Sequence, residues 1–280
     1  MKIRTPLENY GVVFWNCNGK DSDSDLQKCL SEIVCENDVK IVSLCECKSS
    51  ALDILIALQK INNSFMFVGE SDSLKDIGCI RLFSTLPKGT FTVERKSNRF
   101  LTYAFFDKYD LCFVHLKSIL SITDESKTME DLAVIEQIRS LDKSNQMNLK
   151  KFIIGDFNSM PYSNSLVNSR LFNAVRYREI KNSCHRKKTG CNRYINPCWE
   201  LLGQKNAKIY GTIHHTTSEY YNLGTYLFDQ VIFDKELVNN YDEDSLKIIT
   251  STRNHILVSP RGIISDLYSD HLPIFFKIKG

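Results

Sequence analysis

The amino-acid sequence predicts an α/β (α+β) sandwich with sheets inside and helices outside, and three observations predict it. Apolar runs such as Val12, Val13, Phe14, Trp15 and Phe152, Ile153, Ile154 are continuous, β-rich and bounded by polar or glycine residues, as strands covered on both faces are. In the first half of the chain such runs alternate with amphipathic helical patterns. After that, short strand-like runs dominate, with turn residues between them.

The first strand runs to Trp15. Leu26 to Val34 has helical spacing, Ile41 to Leu44 reads as a buried strand, and Ala51 to Ile61 reads as a second helix. Strand-like runs follow at Phe65 to Val68, Ile77 to Phe83, Thr90 to Glu94, Leu101 to Phe106 and Leu111 to Val114, and Pro87, Lys88 and Gly89 mark one of the turns between them. A longer helix is predicted from about Glu125 to Leu141, because Met129, Leu132, Ile135 and Ile138 recur three apart on one face. The strand Lys151 to Ile154 comes next. An irregular, basic and aromatic stretch from Tyr177 to Tyr226 precedes two last strands, Phe228 to Phe233 and Leu272 to Ile278.

A chain of 280 residues with 42% hydrophobic content can bury a full core. One domain over residues 1–280 is expected, since no internal repeat or long Pro/Gly-rich linker marks a boundary and the candidate site residues run from Asn16 to His271. Met1 to Tyr10 lacks the apolar segment of a signal peptide, and no stretch approaches the roughly 20 apolar residues that span a membrane. A soluble, cytoplasmic protein with no membrane partner is therefore expected. Several of the ten cysteines, including Cys45, Cys79 and Cys112, lie in apolar runs, where Cys acts as a small hydrophobe; reduced thiols and no structural disulfide are expected.

Six polar signatures carry the chemistry, each at one end of an apolar run: Asn16 with Asn18, Glu46, His115, Asp156 with Asn158, Asp229, and Asp270 with His271. A polar side chain at a strand end is offered at the rim of a sheet, and six of them at one rim suit a divalent cation held beside a phosphate. Asn16 and Asn18 alternate beyond the first strand and are expected on one side, where amides hold a phosphate oxygen or a water; Asn-Gly as a plain turn is the alternative. Glu46 ends a buried run, where a carboxylate needs a partner: a cation, or Lys48 at a solvated rim. His115 either donates to a phosphate or is structural. Gly155, Asp156, Phe157, Asn158 is the more specific segment, with Gly permitting close approach and Asp and Asn two apart able to orient a nucleophilic water.

Together these motifs resemble the endonuclease/exonuclease/phosphatase (deoxyribonuclease I-like) superfamily over essentially the whole chain, most strongly at Trp15 to Gly19, the Glu46 strand end, Gly155 to Asn158 and Ser269 to Pro273. The resemblance implies a four-layered α/β sandwich of two packed mixed β-sheets flanked by helices, with the site at the top of the sheets. It implies Glu46 as the principal metal ligand with Asn18 and Asp270 nearby, and Asn16, Asp156 and Asn158 positioning the scissile phosphate and attacking water. It also implies His271, oriented by Asp229, as acid/base or charge stabiliser at the phosphate, and His115 as the second catalytic histidine. Abasic-site endonucleases carry a Tyr and Asn arrangement at the His115 position, which argues against a dedicated enzyme of that branch.

Oxygen ligands fit Mg²⁺ or Mn²⁺, whereas zinc recruits Cys and His; Cys184, His185, Cys191 and Cys198 cluster without the spacing of a familiar finger. A net charge of +3 identifies no polyanion binder by itself, but Arg176, Arg178, Lys181, Arg186, Lys187, Lys188 and Arg193 crowd one loop-like segment. From that segment Arg178, Arg186, Lys187, Lys188 and Arg193 are the candidate nucleic-acid contacts, with Tyr194 or Trp199 as stacking faces; a solvated loop, with Trp199 as its packing anchor, is the alternative. His214 and His215 are read as surface or core histidines before cleft residues. The expectation is a Mg²⁺- or Mn²⁺-dependent nuclease acting on DNA. A phosphodiesterase or phosphatase for lipid or small-molecule phosphates, and a noncatalytic nucleic-acid-binding module, are the alternatives.

Overall fold

The computed structural model describes residues 9–20, 24–68, 80–87, 89–106, 108–118, 123–144, 149–176, 194–204, 209–214 and 224–280, with the backbone alone for 24, 93–96, 124 and 140–144. The first sheet contains β1 (Asn9–Asn16), β2 (Val39–Cys45), β3 (Met66–Val68), β4 (Arg81–Ser84), β14 (Tyr241–Ile248) and β15 (Ile274–Lys279), in the order β14-β15-β1-β2-β4-β3. The second contains β5 (Phe91–Lys96), β6 (Phe100–Phe105), β7 (Tyr109–His115), β8 (Lys150–Asp156), β9 (Ala174–Val175), β10 (Tyr194–Ile195) and β13 (Asp229–Asp234), in the order β5-β6-β7-β8-β13-β10-β9. A two-residue ladder joins β11 (Ile213–His214) to β12 (Thr225–Tyr226).

Each sheet is mixed around a central parallel pair. Helix α1 (Ser24–Asn37) connects β1 to its parallel neighbour β2, and α3 (Asp124–Ser144) connects β7 to its parallel neighbour β8. A crossover helix is what a parallel pair requires, because the chain must return to the same end before the next strand starts. Helix α2 (Ala51–Ile61) follows β2; the Ser50 hydroxyl caps it by accepting the Asp53 N–H at 3.0 Å.

Side-chain alternation sorts the core into three layers of contact. Val12, Phe14 and Ile41 from the first sheet meet Leu111, Phe113, Phe152, Ile154 and Val231 from the second between the sheets. Their neighbours Val13, Trp15, Val42 and Leu44 face outward onto Leu26, Cys29, Leu30 and Ile33 of α1. On the other side Cys112, Val114, Ile153 and Ile232 face Val134, Ile135 and Ile138 of α3. Helix, sheet, sheet and helix thus stack as the four-layered sandwich, and the continuous apolar runs of β1, β2, β7 and β8 are strands buried on both faces. No helix among the described residues is long and apolar enough to cross a membrane. The seven described cysteines, Cys17, Cys29, Cys35, Cys45, Cys47, Cys112 and Cys198, are free.

Several boundaries differ from expectation. The last strand begins at Ile274 because Pro273 has no N–H for the ladder, and the Leu272 N–H donates instead to Thr212 O. The strand expected over Ile77 to Phe83 lies at Arg81–Ser84 in its described part. Residues 177–193, 205–208 and 215–223 lie outside the described residues, but the described part of the stretch expected to be irregular contains β10, β11 and β12. β14 was not expected at all. The apolar face of α3 also differs: Met129 is exposed, and the buried face carries Lys127, Asp131, Val134, Ile135 and Ile138.

At Gly155, opposite Val114 in the parallel register, φ is +148° and an added Cβ would stand 1.9 Å from Val114 O. We expect Gly155→Ala to cost about 3 kcal/mol or more, because backbone on both strands would have to move. Gly203→Ala, with its nearest atom 3.8 Å from the added carbon, should change stability by roughly 0.5 kcal/mol or less. Urea unfolding of both variants against the wild type checks this.

Candidate active site

Parallel pairing places the C-terminal ends of β1 and β2, and of β7 and β8, at the same rim, since Asn16 pairs with Cys45 and His115 with Asp156. Antiparallel β13 starts where β8 ends, so Asp229 pairs with Asp156 from the other side. Ligands bind beyond the carboxyl ends of parallel strands because side chains there leave the ladder with room around them. Here both sheets contribute such an end to one place.

Asp156 sits at the middle, buried to 1% exposure. Its Oδ2 accepts Asn16 Nδ2 at 3.0 Å and Asn158 Nδ2 at 3.1 Å, and its Oδ1 accepts the Asn158 N–H at 2.8 Å. The second amide proton of Asn16 goes to Glu46 Oε1 at 3.3 Å, and that of Asn158 to Leu116 O at 2.9 Å. Asn16 Oδ1 accepts the Asn18 N–H at 2.9 Å.

Two histidines flank this carboxylate. His115 Nε2 lies 2.9 Å from Glu46 Oε1 and 3.9 Å from Asp156 Oδ2. His271 Nδ1 lies 2.8 Å from Asp229 Oδ2, which turns its Nε2 toward Asp156 Oδ2 at 4.0 Å. The His271 backbone is pinned at two points: its carbonyl accepts Trp15 Nε1 at 2.9 Å and its N–H donates to Ser269 Oγ at 3.0 Å, while Ser269 Oγ in turn donates to Asn16 O at 2.7 Å. Thr212 Oγ1 accepts the N–H groups of Phe228 and Asp229 at 3.2 and 3.1 Å, holding the start of β13.

The electrostatics follow from burial and neighbours. Burial opposes the charged form of His271, but the Asp229 charge and hydrogen bond, with Asp156 and Asp270 behind them, raise its pKa to about 10. His271 is thus an imidazolium near neutrality. Burial pushes Asp229 up, and the imidazolium pulls the other way. For His115 burial again opposes charging, and the hydrogen bond and charge of Glu46 with Asp156 outweigh it, so its pKa is raised. The His115 hydrogen bond holds the Glu46 carboxyl below its usual range against partial desolvation.

Three site residues occupy the left-handed region: Asn18 at φ +47°, Glu46 at +50° and Asn158 at +48°. Such backbone is disfavoured for side chains other than glycine, and it persists at sites where surrounding bonds over-determine it. It also corrects an expectation. Asn16 and Asn18 do not share one strand-like setting, because β1 ends at Asn16, which is buried, whereas Asn18, at left-handed φ, is exposed. Glu46 pairs with His115, and the Lys48 N–H donates to Lys20 O.

Of the expected metal residues, Glu46 has a half-buried carboxylate whose contacts with His115 and Asn16 both fall on Oε1, which leaves Oε2 outside them. Asp270 carries a buried Oδ1 without a hydrogen-bond partner. Asp156, Asp229 and His271 also bring ligand atoms within 4.8 Å of one another; there Asp229 Oδ2 is taken up by His271 Nδ1, while its buried Oδ1 has no hydrogen-bond partner.

Arg178, Arg186, Lys187, Lys188 and Arg193 lie outside the described residues, as do Cys184, His185, Cys191 and His215. Trp199 is half-buried with its ring 6.2 Å from that of Tyr162. Sequence reasoning assigned no role to Ser269, Thr212 or the Trp15 indole N–H. Ser269 and Trp15 stand beside recognised motifs, which is a usable signal, whereas nothing marks Thr212 in its polar surroundings.

No family model and no curated protein matches this sequence. Solved structures do match its fold. A 3′ phosphatase, NExo, from Neisseria bound to product DNA hairpin is 14% identical and superposes with a TM-score of 0.57, covering 96% of this chain and 99% of its own. This chain has the deoxyribonuclease I-like fold. An AP endonuclease from Archaeoglobus fulgidus shares that fold at 14% identity and TM-score 0.57, over 95% of this chain and 98% of its own. So does D. rerio TDP2 complexed with single strand DNA product, at 14% identity and TM-score 0.53, over 97% and 99%.

The Asp229–His271 pair predicts a pH dependence. A group whose folded pKa is raised stabilises fully below its unfolded value, about 6.5 for His, and loses that contribution as pH rises through the folded value. For His271 the window runs from about 6.5 to about 10. Asp229→Asn should cost about 3 kcal/mol at pH 6, where it leaves the imidazole without its buried counter-charge. The difference from wild type should shrink between pH 7 and pH 10, read from urea unfolding across that range. A constant difference would mean that the pair is not ionic.

Proposed function

We propose that residues 1–280 form one catalytic domain, a divalent-cation-dependent phosphodiesterase that hydrolyses DNA. The observation that carries the proposal is the continuous network from Glu46 through His115, Asn16, Asp156 and Asn158 to His271 and Asp229, assembled at the rim where both parallel pairs end. A noncatalytic module of this fold has no need of that network, because substrate binding alone does not require a buried carboxylate between two imidazoles each paired to a carboxylate.

The residues fit a hard cation. Glu46 offers Oε2 from a carboxylate with 35% of its side chain exposed, and Asp270 has a buried oxygen that lacks a donor. Four carboxyl groups, Glu46, Asp156, Asp229 and Asp270, stand against two imidazoles, so an anionic phosphodiester entering this site gains from an added positive charge. Mg²⁺ or Mn²⁺ would be held by Glu46, with Asn18 and Asp270 on the same side, and would supply charge neutralisation at the phosphate and leaving oxygen.

The chain's own groups perform the rest. Asp156, fixed by Asn16 and Asn158, aligns the attacking water and accepts its proton. Both protons of each of those two amides are already donated, so Asn16 and Asn158 act on the phosphate through Asp156. His271, with Nδ1 locked by Asp229, presents Nε2 to the phosphoryl oxygens as charge builds on them. His115, whose pKa is raised by the Glu46 hydrogen bond, delivers a proton to the leaving oxygen. The P–O3′ bond breaks, leaving a 3′-hydroxyl and a 5′-phosphate. DNA as the polymer is supported by the fold neighbours solved with DNA product and by the basic segment from Arg176 to Arg193. Arg178, Arg186, Lys187, Lys188 and Arg193 are the proposed backbone contacts there.

Supercoiled plasmid, single-stranded DNA and RNA incubated with Mg²⁺ or Mn²⁺, and with EDTA, test the proposal. Cleavage should require the metal, favour DNA, and fall by roughly 100-fold or more in Glu46→Ala and His271→Ala. Hydrolysis of a small phosphodiester or phosphomonoester with every polymer left intact would replace the nuclease assignment with a phosphatase one.

A further inference from the structure

Beneath the site lies a buried ion pair that the proposed chemistry does not use. Lys127, in the first turn of α3, is 3% exposed, and Asp131, one turn later, is 1% exposed. Lys127 Nζ donates to Asp131 Oδ2 at 3.0 Å and Oδ1 at 3.2 Å, and to the backbone carbonyl of Phe157 at 3.2 Å. Ser165 Oγ, itself buried, donates to Asp131 Oδ2 at 2.5 Å.

The carbonyl that Lys127 holds belongs to the residue between Asp156 and Asn158. The other backbone group of Phe157, its N–H, donates to Phe228 O at 2.9 Å, and its ring packs edge-on to Phe172 at 5.3 Å. The peptide following that carbonyl leads into Asn158, whose φ of +48° is disfavoured for asparagine less than for most residues but still needs support. Releasing the Phe157 carbonyl frees that peptide to rotate, and with it the Asn158 N–H and amide that fix both oxygens of Asp156.

Burying an ammonium and a carboxylate costs several kcal/mol of hydration for each ion, and replacing such a pair with apolar side chains is often neutral for stability. A plain structural role would therefore be met as well by Leu or Met on a helix face that already carries Val134, Ile135 and Ile138. What the charged pair supplies is direction: a short-range, oriented donor on one carbonyl.

We propose that Lys127, itself oriented by Asp131 and Ser165, is a positioning residue that holds the left-handed turn at Asn158 and so aligns Asp156 toward a phosphoester. The proposal rests on the phosphodiesterase reading for its catalytic consequence but not for its structural one, and the test separates the two. Hydrogen exchange of the Asn158 amide should speed up roughly 10-fold or more in Lys127→Met, while the Val231 and Phe233 amides of β13 keep their wild-type rates and Lys127→Arg restores most of the protection. On whichever phosphoester the wild type hydrolyses, Lys127→Met should lower kcat by about 10- to 100-fold with little change in KM. In an Asn158→Ala background the same substitution should cost nothing further, because the two act through one turn. Ser165→Ala, which loosens Asp131 while leaving Lys127 in place, should show a weaker form of the same pattern and serves if Lys127→Met does not fold.

Unchanged exchange at Asn158, uniform loss of protection across the sheet, or additive effects in the double variant would each overturn the proposal. Faster exchange at Asn158 in a protein that hydrolyses no phosphoester would uphold the positioning and overturn the enzymatic reading instead.

Discussion

The hydrogen bond from Asn16 to Asp156 is the contact on which the site depends. It runs from the end of β1 in one sheet to the end of β8 in the other, between two residues that are 2% and 1% exposed. A carboxylate buried this deeply is costly unless its lone pairs are met, and here the donors come from Asn16 on one side and from the Asn158 turn on the other. The same amide of Asn16 reaches Glu46, so one planar group sets the spacing between two carboxylates. Around that spacing the two imidazoles find their places, each with one nitrogen held by its own carboxylate.

Much of this was legible in the sequence because the strands are buried on both faces. A run such as Phe152, Ile153, Ile154 followed by Gly155 and Asp156 announces a change of environment at its end, and every one of the six signatures was found by that break. The pairing of His271 with Asp229 came from the resemblance, and the geometry agrees with it at 2.8 Å. Legibility failed where periodicity carries no signal. Asn18 departs from alternation because of its backbone angle, which its side-chain type permits but does not declare. The strand β14, Tyr-Asp-Glu-Asp-Ser-Leu-Lys-Ile, is largely polar because it lies at the edge of its sheet, where charges protect an open ladder.

Helix α3 failed for the opposite reason. Lys127 and Asp131, four apart, have the spacing of a solvated surface pair, and Met129 looks like a core residue; the structure exchanges the two. Pattern reading assumes that charge faces water. That assumption breaks where a fold needs an oriented donor in its interior, which is also where function is concentrated.

The division of the rim between two parallel pairs has a consequence for how the proposed activity would be acquired. Asn16 and Glu46 ride on the β1–α1–β2 unit, whereas His115 and Asp156 ride on β7–α3–β8. Each unit can close its own hydrogen-bonded ladder from nearby sequence, yet neither holds a competent half. A chain with both sheets formed but undocked would have almost all of its secondary structure and no catalysis, and its turnover would appear only with the last tertiary step. Catalytic competence would then serve as a coincidence signal for docking, silent in every partly assembled species.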